Sequence, residues 1–332
     1  MLPYEQEFIV MKGLTDIPGI RVGHVSDFDA LTGCTVILCD GGAVAGVDIR
    51  GSATGTAEMD VMSPGHVTDR VHAVVFAGGS AFGLEAASGV RRYLEKKGVG
   101  FDTGVAKVPI VPCAILYDLG IGKANVRPGR EMGEAAAAAA TSDPVKEGPV
   151  GAGTGATVGK LFGIRQAMKS GIGSATVPLE GPLAAVRVSA LVAVNAVGDI
   201  RDPRTGALIA GARKSPESME LVDTEQQMKR GLRGGFRREN TTLAVVATNA
   251  RLNKVQAAKL AQMAGLGMAR TIYPVNTMSD GDVVIALSLG NEAANIDALG
   301  VAAAEALAQA IVRAVRLSPT MGGLPGLASL TR

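Results

Sequence analysis

Residues 233–250 read RGGFRRENTTLAVVATNA. The first half of this stretch is basic and glycine-rich, which predicts an irregular, accessible loop. Residues 241–248 (TTLAVVAT) are an uninterrupted run of apolar and β-branched side chains, which predicts a strand buried on both faces. Thr241 and Thr242 therefore stand at the first step of a core strand, directly behind a loop that can be cut.

This placement suits a threonine nucleophile. A threonine hydroxyl is weak unless a base lies beside it, and one such base is the α-amino group that is released when the chain is cut just before the threonine. The pKa of an α-amino group is about 7.7–8.0, near enough to neutrality for base catalysis. The pattern by itself is compatible with a cut just before the threonine, but threonine is also common at strand starts for structural reasons alone.

Charge and composition argue against several classes of partner. The chain has 332 residues, a formal net charge of +2 and no Trp. A nearly balanced charge and few aromatic side chains do not favour nucleic acid or an anionic membrane as the main partner. The apolar run 298–315 is interrupted by Glu305 and Arg313, so it predicts a core helix rather than a membrane span. The N-terminus lacks the long apolar core of a signal peptide, and a soluble, cytoplasmic protein is expected.

The three cysteines, Cys34, Cys39 and Cys113, are an odd number and do not suggest a disulfide framework. Cys34 and Cys39 are five residues apart in a strand-like run, which places them on opposite faces. Buried, reduced side chains are therefore expected.

Strand and helix patterns are mixed along the whole chain, which predicts an α/β class with a layered core. Residues 202–240 are charged and contain Gly, Pro and Ser, and this segment is interpreted as a surface linker before the cleavage site. The predicted strands lie near residues 19–25, 34–39, 73–79, 111–118, 186–199, 241–248 and 282–288, and the predicted helices near 82–98, 131–143, 252–269 and 295–315.

Three other functional motifs that the sequence suggests do not match at their key residues. GTGATVGKL (residues 153–161) has Thr154 where a phosphate loop needs glycine, and Leu161 follows its lysine. Ser80 lacks the following glycine of a nucleophile elbow because Phe82 occupies that position. His24, His66 and His72 have no metal-binding pair spacing and are interpreted as structural or surface residues.

Five ordered motifs together resemble the L-aminopeptidase/D-esterase family of N-terminal-nucleophile hydrolases. They are DIPGIRVGHVSD (16–27), AVVFAGGSAFGLEAASGV (73–90), VGAGTGATVGK (150–160), ALVAVNAVGD (190–199) and NTTLAVVATNA (240–250). Threonine rather than serine behind the asparagine resembles the nylon-oligomer branch of that family, the 6-aminohexanoate-oligomer endo-hydrolases.

The resemblance implies one catalytic domain over residues 1–332 with a four-layer αββα sandwich, an architecture that the ornithine acetyltransferases share. It implies self-cleavage into a larger chain, 1–240, and a smaller chain, 241–332, that stay together. It also implies assembly as a homotetramer and no metal or organic cofactor.

Thr241 is then the nucleophile, and other site residues follow from matching motif positions. Lys160 resembles the family's active-site lysine, and Tyr117 matches a tyrosine that lines the substrate pocket. Asn195 lies among apolar residues, and a buried amide without a hydrogen bond costs about 1–3 kcal/mol. The family uses this amide as an oxyanion donor.

Asp280 and Asp282 flank a glycine and point the same way if the chain is extended. The resemblance places them near the new ammonium group, where they would orient it. Their mutual repulsion would keep one of them partly protonated. Without the resemblance, an acidic turn that enters a strand explains the pair equally well.

The leading hypothesis is an amidase that acts on small linear amides or peptides, such as 6-aminohexanoate oligomers, through an acyl-enzyme on Thr241. The first alternative is an aminopeptidase acting on small N-terminal residues, β-peptides or D-amino-acid amides and esters. Acyl transfer is a second alternative, and a non-enzymatic small-molecule binding protein is a third.

Overall fold

The computed structural model describes residues 11–232 and 240–330. Every long apolar run of the sequence forms a strand or a helix in it. The helices are α1 (Ala86–Lys96), α2 (Arg130–Ala138), α3 (Thr224–Lys229), α4 (Lys254–Ala269) and α5 (Ile296–Arg316). The strands are β1 (Ile20–Asp27), β2 (Thr32–Ile49), β3 (Gly55–Ala57), β4 (Val71–Ala77), β5 (Phe101–Asp102), β6 (Lys107–Val108), β7 (Cys113–Ile115), β8 (Thr157–Val158), β9 (Met168–Lys169), β10 (Ile172–Pro178), β11 (Arg187–Asn195), β12 (Asp199–Arg201), β13 (Leu208–Ala210), β14 (Thr241–Ala250), β15 (Ile272–Tyr273) and β16 (Val283–Glu292).

Strand β2 belongs to two sheets and joins them. Its first half pairs with β1 and β4, and its second half, from Val44 to Ile49, pairs with β16. Gly41 and Gly42 lie between the halves with φ of 75° and 76°, where the register against β4 shifts. Left-handed backbone costs glycine little, so these two residues let one strand turn from one sheet into the other.

The first sheet has the order β10-β11-β14-β16-β2, in which β14 and β16 are parallel and the other pairs are antiparallel. The second sheet has the order β1-β2-β4-β7-β3, with β4 and β7 parallel. Strand β14 is therefore an interior strand, with β11 on one side and β16 on the other.

Alternation along β14 shows how the layers stack. Leu243 and Val245 belong to a core cluster between the two sheets, whereas Ala244 and Val246 belong to a cluster with α4 and α5. A third cluster joins the outer face of the second sheet to α1 and α2. Three apolar cores between four layers give the αββα sandwich that the family resemblance implies.

Helix α5 has 21 residues and is apolar enough, by composition, to cross a membrane. Its apolar side packs on the first sheet, and 67% of its most hydrophobic window is buried inside the protein. It is a core helix, as the interruptions at Glu305 and Arg313 predict.

The cysteines are free and buried. Cys39 lies in the core between the sheets, whereas Cys34 and Cys113 lie in the core beneath α1 and α2, so the predicted opposite faces are confirmed. Burial raises the pKa of each thiol to about 12. Such thiols carry almost no thiolate at neutral pH and are poor nucleophiles.

The sequence predicts a surface linker over residues 202–240, and the structure describes residues 202–232 of it. It contains β13 and α3, and Arg213 within it is only 3% exposed. The Arg213 guanidinium donates to the carbonyl of Arg165 at 2.8 Å, and buried Asp199 accepts from the N–H and hydroxyl of Thr224. The sequence did not predict these buried bonds, because a charged side chain that bonds to buried main-chain groups looks like a solvated one in a single sequence. The predicted loop 233–239 lies outside the described residues.

Helices approach the sheets so closely that glycine is required at several contacts. A Cβ atom on Gly23 would lie 2.0 Å from the Ala136 carbonyl oxygen in α2, and one on Gly173 would lie 1.9 Å from the Ala310 carbonyl oxygen in α5. Real Cβ contacts are never so short. Part of the high glycine content therefore serves close packing of helix on strand.

Gly173→Ala should lower the free energy of unfolding by about 1–3 kcal/mol, because the methyl group forces β10 and α5 apart. Urea unfolding measures this change. Gly65→Ala is the matched control, since nothing lies within 4 Å of its Cβ position, and we expect a change within about 0.5 kcal/mol. Equal stability of the two variants would contradict the packing argument.

His24 lies on β1 and is half-buried, and its Nδ1 lies 2.9 Å from the hydroxyl of Thr35 on β2. Its Nε2 atom is buried and has no hydrogen-bond partner within the described residues. Burial, together with the charge of Lys146, lowers the pKa of His24 to about 4. The other histidines have local main-chain partners: His66 accepts from Thr68 and His72 from Ile110.

Because the unfolded histidine gains its proton near pH 6.5 and the folded one near pH 4, the unfolded state binds more protons between these values. His24 should therefore reduce the free energy of unfolding by about 3 kcal/mol as the pH falls from 7 to 4. The His24→Asn variant has no such group, so its free energy of unfolding should not show this decrease. Between pH 7 and pH 4, the difference in free energy of unfolding should therefore shift by that amount in favour of the variant. Urea unfolding at both pH values tests this, and parallel pH profiles would refute it.

Candidate active site

Thr241 is the first residue of β14 and is 3% exposed. Its position in the strand places its side chain on the same face as Leu243, toward the core between the sheets. Its hydroxyl donates to the carbonyl oxygen of Asn240 at 2.5 Å. The hydroxyl is thus held against the peptide bond at which the sequence predicts cleavage.

Asn195 ends β11 and pairs directly with Thr241 across the antiparallel ladder. Side chains of directly opposed residues lie on one face, with Cβ atoms about 4.5–5.5 Å apart. The Asn195 side chain is fully buried; its Oδ1 accepts from the N–H of Thr157 at 3.1 Å, and its Nδ2 donates to the carbonyl of Tyr117 at 2.9 Å. These partners fix which end of the amide is the donor.

Lys160 fixes the same amide from a third direction. Its Nζ donates to Asn195 Oδ1 at 2.7 Å and to the Asn195 carbonyl at 2.8 Å. The main-chain N–H of Lys160 also donates to the Val197 carbonyl at 3.0 Å, which ties the lysine to the turn after β11. The predicted active-site lysine is therefore next to the predicted oxyanion donor.

Asp280 and Asp282 are almost fully buried, at 1% and 2% exposed. Asp282 accepts from the N–H of Thr242 at 2.6 Å and from the N–H of Asn276 at 3.0 Å. Burial and the negative charge of Asp280 raise the pKa of Asp282 to about 7.

Burial also raises the pKa of Asp280, while hydrogen bonds from Thr277 and the positive charge of Lys160 act in the opposite direction. The Thr277 hydroxyl and N–H donate to Asp280 Oδ2 at 2.7 and 3.0 Å. Lys160 and the two carboxyl groups thus form one electrostatic unit beside β14.

Gly281 lies between the aspartates, and sequence reasoning gave it no role. Its N–H donates to the carbonyl oxygen of Asn240 at 2.8 Å. A Cβ atom here would lie 2.8 Å from the Thr241 hydroxyl and 2.8 Å from the Ala53 carbonyl oxygen. Glycine lets the main chain approach Thr241 this closely, and its amide polarises the carbonyl of the Asn240–Thr241 bond.

Tyr117 is half-buried and contacts the site through its main-chain carbonyl, which accepts the Asn195 amide. The structure therefore brings together all seven residues that the sequence singles out: Tyr117, Lys160, Asn195, Asn240, Thr241, Asp280 and Asp282. Within the described residues, no group of three or more His, Cys, Asp or Glu side chains is placed to hold a metal ion.

A second lysine, Lys169, stabilises the turn that leads to Lys160, and the sequence did not predict this role. Lys169 in β9 is fully buried, and its Nζ donates to the carbonyls of Gly153 at 3.1 Å and Ala156 at 2.7 Å, and to that of Ser170. These bonds hold the turn that leads to Lys160. Burial lowers the pKa of Lys169 to about 7, although the charge of nearby Asp118 opposes this shift.

Lys169→Met should lower the free energy of unfolding by about 2 kcal/mol, because buried carbonyls lose their donor. Hydrolytic activity should fall as well, because the turn that carries Lys160 loses its support. Lys259→Met, at an exposed position in α4, is the control and should change stability by less than about 0.5 kcal/mol. If the Lys169 variant keeps both its free energy of unfolding and its hydrolytic activity, the Lys169 side chain does not stabilise the turn before Lys160.

Comparison with known proteins covers almost the whole chain. Residues 12–328 match the model of peptidase family S58. An uncharacterized aminopeptidase of Mycobacterium tuberculosis is 39% identical, over 95% of this chain and 96% of that protein. A 6-aminohexanoate-oligomer endohydrolase of a Kocuria species is 32% identical, over 91% of this chain and 85% of that protein.

Among solved structures, an L-aminopeptidase D-Ala-esterase/amidase of Ochrobactrum anthropi, described as a variant of the Ntn hydrolase fold, superposes with a TM-score of 0.69. The match covers 95% of this chain and 88% of that one, at 20% identity, and concerns the fold alone. It agrees with the four layers described above, and the family resemblance of the sequence motifs is confirmed. The chain therefore belongs to peptidase family S58 and is an amide hydrolase.

Proposed function

We propose that the chain cuts itself between Asn240 and Thr241 and then uses Thr241 as an N-terminal nucleophile on linear amides. One observation carries this proposal. The Thr241 hydroxyl is buried against the carbonyl of Asn240, and the N–H of Gly281 donates to that same carbonyl oxygen. A nucleophile and an oxyanion donor thus converge on one peptide bond.

Maturation begins when the Thr241 hydroxyl oxygen attacks the carbonyl carbon of Asn240. The carbonyl oxygen takes negative charge, which the Gly281 N–H stabilises; such a donor is often worth about 2.7–4 kcal/mol of the barrier. The C–N bond breaks, the threonine nitrogen takes up the hydroxyl proton, and the Asn240 acyl group is carried as an ester. Water then hydrolyses the ester and leaves Thr241 with a free α-amine.

In the mature enzyme the α-amine accepts the hydroxyl proton as the oxygen attacks a substrate amide carbonyl. The amine passes this proton to the leaving nitrogen, the amide bond breaks, and an ester forms on Thr241. Water, deprotonated by the same amine, then releases the acid. Asn195 is positioned to donate to the oxyanion, because it lies directly across the ladder from Thr241 with its amide orientation fixed.

The acidic pair sets the protonation of the amine. Asp282 accepts the N–H of the residue that follows Thr241, so its carboxyl group lies beside the new N-terminus. With a pKa of about 7, it is close to the α-amine in proton affinity and can exchange a proton with it. Lys160 counterbalances the negative charge of Asp280.

The substrates in this proposal are linear amides such as 6-aminohexanoate oligomers, supported by the relative that is named for that activity. Aminopeptidase activity is the second candidate, and it is favoured by the mycobacterial relative at 39% identity. Amino-acid p-nitroanilides and N-acylated oligomers separate the two, because an aminopeptidase requires a free amine next to the scissile bond. We further expect the cleaved protomers to form homotetramers in the cytoplasm.

Thr241→Ala should abolish both self-cleavage and amide hydrolysis, because it removes the attacking oxygen and keeps the fold. Mass spectrometry of the purified protein should find a second N-terminus, Thr-Thr-Leu-Ala, in the unsubstituted protein only. Thr241→Ser keeps a hydroxyl group and is the control that should retain measurable cleavage and hydrolysis. A split or active alanine variant would sink the proposal.

A further inference from the structure

A cleft of about 260 Å³ lies beside the two segments that carry Tyr117 and Lys160. Its walls come from the turn after Tyr117, the turn after Lys160 and the chain near the C-terminal end of the fold. Within the described residues, the side chains that line it are mostly aliphatic, and the principal ones are Ile121, Ile164, Arg165, Pro216 and Leu324.

The cleft is close enough to the site to hold part of a substrate bound there. Gly120 lines it and is three residues from Tyr117, a stretch of chain that spans at most about 11 Å. The Tyr117 ring lies 3.8 Å from the Cβ position of Gly120. On the other wall, the N–H of Gly163 donates to the Lys160 carbonyl at 2.9 Å, so the chain turns tightly there. An extended peptide, at about 3.3 Å per residue, covers the stretch from Tyr117 to Gly120 in three or four residues.

Arg165 is the one ionisable side chain among the described residues that line the cleft. It is exposed, and its guanidinium forms no hydrogen bond or ion pair with any described residue. Its main-chain carbonyl accepts from the guanidinium of Arg213 at 2.8 Å, which anchors the backbone of this wall. A guanidinium on an aliphatic surface suits a carboxylate at the end of an aliphatic chain, because its planar fork can donate two parallel hydrogen bonds.

We propose that this cleft binds the amine-side part of the substrate and that Arg165 binds its terminal carboxylate. The inference rests on the function proposed above and narrows its substrate class. The preferred substrates are linear amides whose free carboxylate lies at least about three α-amino-acid residues, or about one to two 6-aminohexanoate residues, after the scissile bond. In both peptides and 6-aminohexanoate oligomers, the carboxylate terminates the piece that leaves as the amine.

Matched substrates test this directly: the linear alanine pentamer and the linear 6-aminohexanoate trimer, each prepared as the free acid and as the C-terminal carboxamide. For whichever oligomer is hydrolysed, kcat/KM should be about tenfold higher for the acid than for the amide, as expected for one charge-assisted contact at a partly exposed site. Raising the salt concentration should reduce this ratio by screening.

Arg165→Gln should bring the acid-to-amide ratio close to one, and Arg165→Lys should keep part of it because the charge remains. Arg187→Gln is the matched control: Arg187 is also exposed, and it starts β11 at the end opposite Asn195. This variant should keep the full ratio. Equal rates on acid and amide in the unsubstituted enzyme would overturn the inference alone. No hydrolysis of any of the four oligomers would overturn the proposed function, and the inference with it.

Discussion

The site depends on a single rung of a β-ladder, the pairing of Asn195 with Thr241 between β11 and β14. Because β14 is interior to its sheet, the main chain of Thr241 is fixed from both sides and its hydroxyl cannot drift. The same rung brings a buried amide opposite the hydroxyl without any dedicated loop. Lys160 and Thr157 then complete the amide's hydrogen bonds from the neighbouring turn.

The parallel pairing of β14 with β16 supplies the other half of the chemistry. Its register continues backward from Leu243 and Val283 to a bridge between Asn240 and Asp280. Residues 280–282 therefore run alongside residues 240–242, and the acidic pair meets the cleavage site as a consequence of strand order. This arrangement buries two carboxyl groups, and burial raises the pKa of both.

Much of this arrangement could be predicted from the sequence. The apolar runs predict most strands of the two sheets but not β3 or β10, and helical spacing predicts α1, α2, α4 and α5 but not the short α3. The site residues came from the family resemblance. Strand order was not predictable from periodicity, which explains why Gly281 was missed: its role exists only because β16 lies beside β14. Lys169 was missed for a different reason, since the sequence around a lysine looks the same whether its ammonium group reaches solvent or buried carbonyls.

The interior position of β14 and β16 also bears on how the two halves of the molecule would hold together after scission. Residues 241–330 contribute both of these central strands and the two helices that cover them, whereas the strands on either side, β11 and β2, precede residue 240. A break at residue 240 would open no sheet edge and leave every ladder intact. The strands of the shorter polypeptide would stay paired on both sides with strands of the longer one. The two polypeptides could therefore separate only if the core unfolded.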